Sequence, residues 1–266
     1  MIRTLPKYDP DAPIAVIDIG NTTTKVATWH EERLKGTLTV PTEDRSEFEA
    51  AFAAHVREAS TGRPSATVIS SVVPSALARV LEQVEVIQSK PGLVIGQNIP
   101  LPMDFEVDDA ASVGVDRVCE AYAAYEKLER SCTVVAFGSA VTVDLVDDEG
   151  TFLGGAILPG VRMQLRAMHE FTAVLPQVEP EVPELPYGRN TIEAMQSGVC
   201  RGIAGAVRGL VEAYATRLNR WPHVVATGGD VAMLAPHCDF LDTVVADLVL
   251  RGAALAYHKH LSEMGA

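Results

Sequence analysis

The chain has 266 residues, 47% of them apolar and 21% charged, and its 22 Lys and Arg against 35 Asp and Glu give a formal net charge of −13. Such a composition excludes a disordered chain. The acidic balance leaves no general field to attract a nucleic-acid backbone or an anionic membrane, although a local anion site made of backbone N–H groups stays open. Cys119, Cys132, Cys200 and Cys238 are scattered without a CxxC pair, which predicts reduced core residues of a cytosolic protein and neither a disulfide framework nor a zinc site. The polar, Pro-rich residues 1–13 contain no apolar export segment, and the apolar stretch 244–257 is interrupted by Asp247 and Arg251. The expectation is a soluble, cytoplasmic protein.

Taken in order, residues 14–17 are an apolar run breaking into Asp18-Ile19-Gly20-Asn21-Thr22, the pattern of a buried strand entering a tight turn. Residues 25–29 and 34–40 predict two more strands around a polar turn. Phe48, Phe52 and Val56, four residues apart, predict a helix over 43–59. Residues 68–73 read as a strand, and Pro74 suits the first position of a helix. Residues 93–112 lack periodicity and read as loop bearing short strands; 114–130 are helical. A second apolar run, 133–136, opens into Phe137-Gly138-Ser139-Ala140, with strands predicted at 141–146 and 151–158 about the turn Asp148-Glu149-Gly150. Further on come a helix over 164–173, a Pro-rich acidic loop over 177–184, a long helix over 191–217 with small residues on one face, a strand over 223–226 ending in Thr227-Gly228-Gly229, and a terminal helix over 247–259.

Superimposing Gly20 on Gly138 aligns the two apolar runs and places Thr24 on Thr142. Strand, glycine turn, strand, turn, strand therefore occurs twice, which suggests an internal duplication. A duplicated βββαβα unit of the ribonuclease H type is the mark of α/β proteins with the two-lobed actin-like and sugar-kinase ATPase fold, and the expected lobes are 1–130 and 131–266.

Asp18, Gly20, Asn21 and Thr22 make a candidate phosphate hairpin: glycine allows close backbone approach, Asn and Thr add donors, and the carboxylate suits Mg²⁺. The plainer reading is a turn closing a β-hairpin. Gly114-Val115-Asp116-Arg117 stands at a helix start, where Asp116 is either a cap and dipole partner or a general base followed by an anion-binding Arg117. Gly228-Gly229 would let an adenosine pack on backbone, or is only a strand-to-helix turn. Ser139 has no His at nucleophile spacing, and the seven histidines show no ligand pattern.

Together these strings resemble the type III pantothenate kinases. The resemblance rests on Asp18-Ile19-Gly20-Asn21-Thr22, Ile69-Ser70-Ser71-Val72-Val73-Pro74, Gly114-Val115-Asp116-Arg117, Gly154-Gly155-Ala156-Ile157-Leu158-Pro159-Gly160, Leu175-Pro176, Gly188-Arg189-Asn190-Thr191, Ala194-Met195-Gln196-Ser197-Gly198 and Thr227-Gly228-Gly229. It implies ATP-dependent phosphorylation of pantothenate, the opening step of coenzyme A synthesis, by a homodimer that binds ATP and Mg²⁺. It would place Asp18, with Gly20, Asn21, Thr22 and Lys25, at Mg²⁺·ATP, and Gly138, Ser139, Thr227, Gly228 and Gly229 at the nucleotide. Asp116 would be the base, Gly114, Val115 and Arg117 would hold pantothenate, and Thr191 would reach it from the second subunit. Two departures stand out. The family's second phosphate motif opens with an Asp that binds a monovalent cation such as K⁺ or NH₄⁺, and here that residue is Ala136. A substrate-contacting Tyr falls on Val107. The alternatives are a catalytically impaired member acting as a nucleotide- or pantothenate-binding regulatory homodimer, and a kinase for another small hydroxy acid.

Overall fold

The computed structural model describes residues 12–58 and 64–265. Most of the polar N-terminal stretch, and Ala59 of the first predicted helix, lie outside them. In chain order the elements are β1 (Ile14–Ile19), β2 (Thr23–His30), β3 (Arg33–Pro41), α1 (Arg45–Glu58), β4 (Thr67–Ser71), α2 (Pro74–Gln88), β5 (Leu93–Val94), β6 (Asp104–Phe105) and α3 (Val115–Leu128). There follow β7 (Cys132–Phe137), β8 (Ala140–Val146), β9 (Thr151–Pro159), α4 (Val161–Glu170), α5 (Thr191–Leu218), β10 (His223–Thr227), α6 (Val231–Leu234), β11 (Thr243–Val244) and α7 (Leu248–Met264). Pro74 opens α2, as its missing N–H and fixed φ favour. The helix read over 164–173 begins three residues earlier, because Gly160, with extended φ and ψ, caps α4 without a side-chain signal for the sequence to show.

The chain divides into two compact units. The first holds residues up to Met103, then Asp108–Ala123 and Leu248–Ala266. Its sheet runs β3-β2-β1-β4-β5, antiparallel through the hairpins and parallel from β1 to β4. Period-two alternation splits β1 cleanly. Ala15, Ile17 and Ile19 join Phe48 and Phe52 of α1 and Val80 and Val84 of α2 on one side. Ile14 and Val16 join Cys119 and Tyr122 of α3 and Leu250, Ala253 and Tyr257 of α7 on the other.

The second unit, Asp104–Val107 and Ala124–Asp247, has a sheet of order β11-β10-β7-β8-β9-β6. Read from β9 to β11, this is the order of the first sheet with β6 added at the β9 edge. Val135, Phe137, Val141 and Val143 pack against Leu165 of α4 and Met195, Ile203, Val207 and Val211 of α5.

The sequence boundary near Ser131 needs two corrections. The division falls inside α3, between Ala123 and Ala124, and the terminal helix belongs with the first unit. Nothing local in residues 247–259 distinguishes the two partners. The apolar stripe of α7 is buried against β1, β4, α3 and β2, and burying each such large apolar side chain contributes about 1.5–3 kcal/mol. The duplication also shifts by one residue. Asp18 pairs with Lys25 across the first hairpin and Ala136 with Thr142 across the second, so Lys25, not Thr24, is the counterpart of Thr142. The second hairpin is one residue shorter, a difference that an ungapped alignment cannot register.

Candidate active site

In the first unit three neighbouring strands place Ser70, Asp18 and Lys25 side by side on the face that also carries Ile14 and Val16. Asp18 lies at the C-terminal end of β1, half-buried, where the strand gives way to the hairpin. Directly opposed cross-strand residues lie close enough for a carboxylate and an ammonium to influence one another. Gly20 N–H closes the tip by donating to Thr23 O (3.1 Å), and Thr42 pins it from outside, its N–H donating to Thr22 O (3.0 Å) and its hydroxyl to Gly20 O (2.7 Å). Asn21 and Thr22 stand exposed on this held tip. Thr42 was not legible as a site residue, since it is 22 positions from Gly20 and belongs to no motif.

Over the same face lies the first turn of α3. Asp116 is half-buried, and its Oδ1 accepts the Arg117 N–H at 2.8 Å. Burial raises the Asp116 carboxyl above its ordinary value of 3.8, while the Arg117 N–H and the Arg117 charge pull against it. Gly114 is small for a reason, because a β-carbon there would stand 2.6 Å from Asp116 Oδ1. One helical turn beyond Asp116, the Cys119 thiol is fully buried. Burial first, then the charges of Asp18, Asp116 and Glu120, hold it well above its ordinary range, and Ser70 acts weakly the other way. The Ser70 hydroxyl is itself fully buried and reaches no conventional hydrogen-bond partner. The thiol therefore stays protonated and neutral where both carboxylates make themselves felt. Asp18, Gly20, Asn21, Thr22, Lys25, Gly114, Val115, Asp116 and Arg117 all belong to this unit.

The second unit carries the corresponding row as Thr227, Ala136 and Thr142. It is neutral throughout, and the Thr142 hydroxyl is buried without a partner. Backbone packing dominates here. Gly138 N–H donates to Ala140 O, Gly160 N–H to Ser139 O, both at 3.1 Å, and Asp230 N–H to Phe137 O at 2.9 Å. Gly228 has φ +101°, and a β-carbon on it would lie 2.6 Å from the carbonyl carbon of Phe137, so only glycine fits. Gly229 and Ser139 are exposed beside it. Burial also raises the Asp230 carboxyl, opposed by the charge of Arg162.

Thr191 is the exposed first residue of α5. Asn190 Oδ1 accepts the Glu193 N–H (3.0 Å), and Glu193 returns a carboxylate oxygen to the Arg189 N–H (2.8 Å), a reciprocal cap that fixes the helix start. Val107 lies in the second unit, its side chain 3.6 Å from where a β-carbon on Gly154 would be.

The chain is similar to known proteins over most of its length. Residues 14–213 match the family model for type III pantothenate kinase. A type III pantothenate kinase of Thermomicrobium roseum is 36% identical over 261 residues, covering 95% of this chain and all of the relative. Among solved structures, a Campylobacter jejuni protein assigned to the Baf family of transcriptional activators superposes with a TM-score of 0.62 at 20% identity, covering 92% of this chain and 98% of that one. A glucokinase from an Antarctic psychrotroph gives 0.51 at 13% identity, covering 93% and 99%. At such low identities the two superpositions speak for the fold, the duplicated actin-like α/β architecture, and for nothing finer.

Proposed function

Because this chain belongs to the type III pantothenate kinase family, we propose that it transfers the γ-phosphoryl group of ATP to the hydroxyl of pantothenate, releasing ADP and 4′-phosphopantothenate at the opening of coenzyme A synthesis. The observation that carries this reading is the pairing of two carboxylates with different surroundings on one face of the first unit. Asp18 ends a strand beside Lys25 and a held glycine hairpin; Asp116 is desolvated in the first turn of α3. Phosphoryl transfer asks the protein for positioning and charge more than for covalent chemistry. Asp116, kept a better proton acceptor than an exposed Asp, takes the proton of the attacking hydroxyl as the oxygen–phosphorus bond forms. Arg117, next in the chain, binds the pantothenate carboxylate.

In the first unit the hairpin 20–22 offers backbone N–H groups to phosphate and Lys25 adds a charge; in the second, Gly138, Gly228 and Gly229 leave backbone open to a ligand, and Ser139 and Thr227 carry hydroxyls. Asp18 suits Mg²⁺, which takes few protein oxygens and keeps its waters. When bound, the ion neutralises charge on the phosphate oxygens. A monovalent cation does not fit beside Ala136, because neither alanine nor the hydroxyls of Thr142 and Thr227 supply an anion to hold it.

We read the protein as a homodimer joined through the second unit. Phe171 and Val174 are 85% and 86% exposed, Met163, Tyr187 and Ile192 are exposed as well, and Gly198, Gly202, Gly205 and Gly209 leave open space along α5. In that dimer Thr191 of the partner subunit reaches pantothenate. No helix among the described residues is long and apolar enough to cross a membrane, which suits a cytoplasmic enzyme.

The test is ADP release with and without pantothenate, with the product identified by mass. Pantothenate-dependent ADP and a product one phosphoryl group heavier are expected, and Asp116→Asn should cut kcat about 10²–10⁴-fold. Binding of pantothenate without ADP release would overturn the reading.

A further inference from the structure

Three groups meet around the buried face of the first unit: the strand end that carries Asp18, the first turns of α3 that carry Asp116 and Cys119, and α7. The contact between the two helices is unusually close. Gly252 is buried in α7, and a β-carbon on it would lie 2.5 Å from the carbonyl carbon of Cys119 and 2.8 Å from its Cα, inside the backbone itself. Backbone cannot rotate aside as a side chain can. α7 holds α3 at a second place two turns on, where Lys259 Nζ lies 5.4 Å from the centre of the Tyr122 ring and donates to Pro102 O at 2.8 Å. The same helix packs through Leu250, Ala253 and Ala254 into the cluster that contains Val16 of β1, two residues before Asp18. Both functional carboxylates are thus referenced to α7.

We propose that Gly252 is a positioning residue for phosphoryl transfer: by letting α7 touch the backbone of α3 at Cys119, it sets where Asp116 stands relative to Asp18. This rests on the assignment of Asp116 as the base. Asp116 is one turn from the contact, so a rigid helix passes a displacement at Cys119 on to it almost whole. Clearing a β-carbon at residue 252 requires the helices to separate by roughly 1 Å, the scale of misplacement that costs about 10²-fold in rate. The hairpin 20–25 is not part of α3 and should keep its place.

The experiment compares Gly252→Ala with Leu261→Ala, a buried deletion at the far end of α7, and with Lys259→Met, which loosens the second hold at an exposed position without overpacking. Expected are a 10–100-fold fall in kcat for Gly252→Ala with the KM for ATP changed less than about threefold, and a smaller fall of the same kind for Lys259→Met. Leu261→Ala should lower Tm while leaving kcat near that of the unmodified protein. If Gly252→Ala fails to fold, Lys259→Met decides. Unchanged kcat in a folded Gly252→Ala, or in Lys259→Met when the glycine variant does not fold, would overturn the proposal, as would an equal loss in Leu261→Ala. Asp116→Asn run in parallel keeps the two ideas apart: near-normal turnover in that variant removes the base, whatever Gly252→Ala does.

Discussion

The two hairpin rows occupy the same place in two copies of one topology, yet they are chemically opposite. In the first unit the row is Ser70, Asp18 and Lys25, charged and roofed by Asp116 and Cys119 on α3. In the second it is Thr227, Ala136 and Thr142, with no charge. Beside the charged row the strand backbone is the less crowded of the two. By strand register Ser71 is the first-unit counterpart of Gly228, and serine is tolerated there. Where the charge is missing, glycines crowd the backbone instead, at Gly160 against Ser139 and at Gly228 against Phe137. At the hairpin ends, then, the two copies of the topology differ: charged side chains in one, close backbone packing in the other.

The sharpest way to break this division is to make the first row as neutral as the second. Asp18→Ala should lower kcat about 10²–10³-fold, the usual loss on removing one charge-stabilising group, with Tm little changed. Steady-state kinetics at saturating Mg²⁺ and ATP would show it, and turnover within threefold of the unmodified protein would end the proposed asymmetry.

Stability should show the converse. Gly228→Ser, which imports the first unit's residue into the second, forces a side chain into positive φ and against the Phe137 backbone, at a cost of about 2–5 kcal/mol. The reverse change, Ser71→Gly, should cost about 0.5–1 kcal/mol. Urea unfolding measures both, and equal losses would show that the backbone is no tighter in the second copy.

A gentler perturbation gives the second row its charge. The unmodified protein should turn over equally well in NaCl, KCl and NH₄Cl at constant ionic strength, whereas Ala136→Asp should acquire a preference for K⁺ of a few-fold. An anion at that point attracts a counter-ion that Thr142 and Thr227 alone do not retain. Strong K⁺ activation of the unmodified protein would mean that other groups build a cation site.

The smallest effect concerns pH. With Asp116 as the proposed base, which works deprotonated, activity should fall on acidification through its pKa, and burial should put that limb above the ordinary 3.8 of an Asp. Removing the nearby positive charge with Arg117→Ala should move the acid limb of kcat to higher pH, because the carboxylate loses a partner that favours its charged form. Thr142→Val in the neutral row should leave the limb where it is. A limb that ignores Arg117→Ala would detach Asp116 from the titration.

Local pattern was enough for much of this protein. The strands around Asp18 and Gly138, the helix opened by Pro74 and the doubled hairpin all follow from apolar periodicity and turn chemistry, which act over a few residues and are written in the chain at that spacing. The strings around Asp18, Asp116 and Thr227 were legible for the same reason, as short motifs at strand and helix ends. Contacts between residues far apart in sequence were not. Lys25 rather than Thr24 faces Asp18 because the first hairpin is one residue longer, a matter of register. Thr42 pins the tip of that hairpin from 22 residues away. Cys119 read only as a core cysteine until the fold set Asp18, Ser70 and Asp116 around it. The apolar stripe of α7 says that the helix must be buried, but hydrophobic attraction has no direction and does not name its partner. Shape adds the direction: Gly252 leaves room for the backbone of α3, and α7 packs with α3 on the face of β1 that carries Ile14 and Val16.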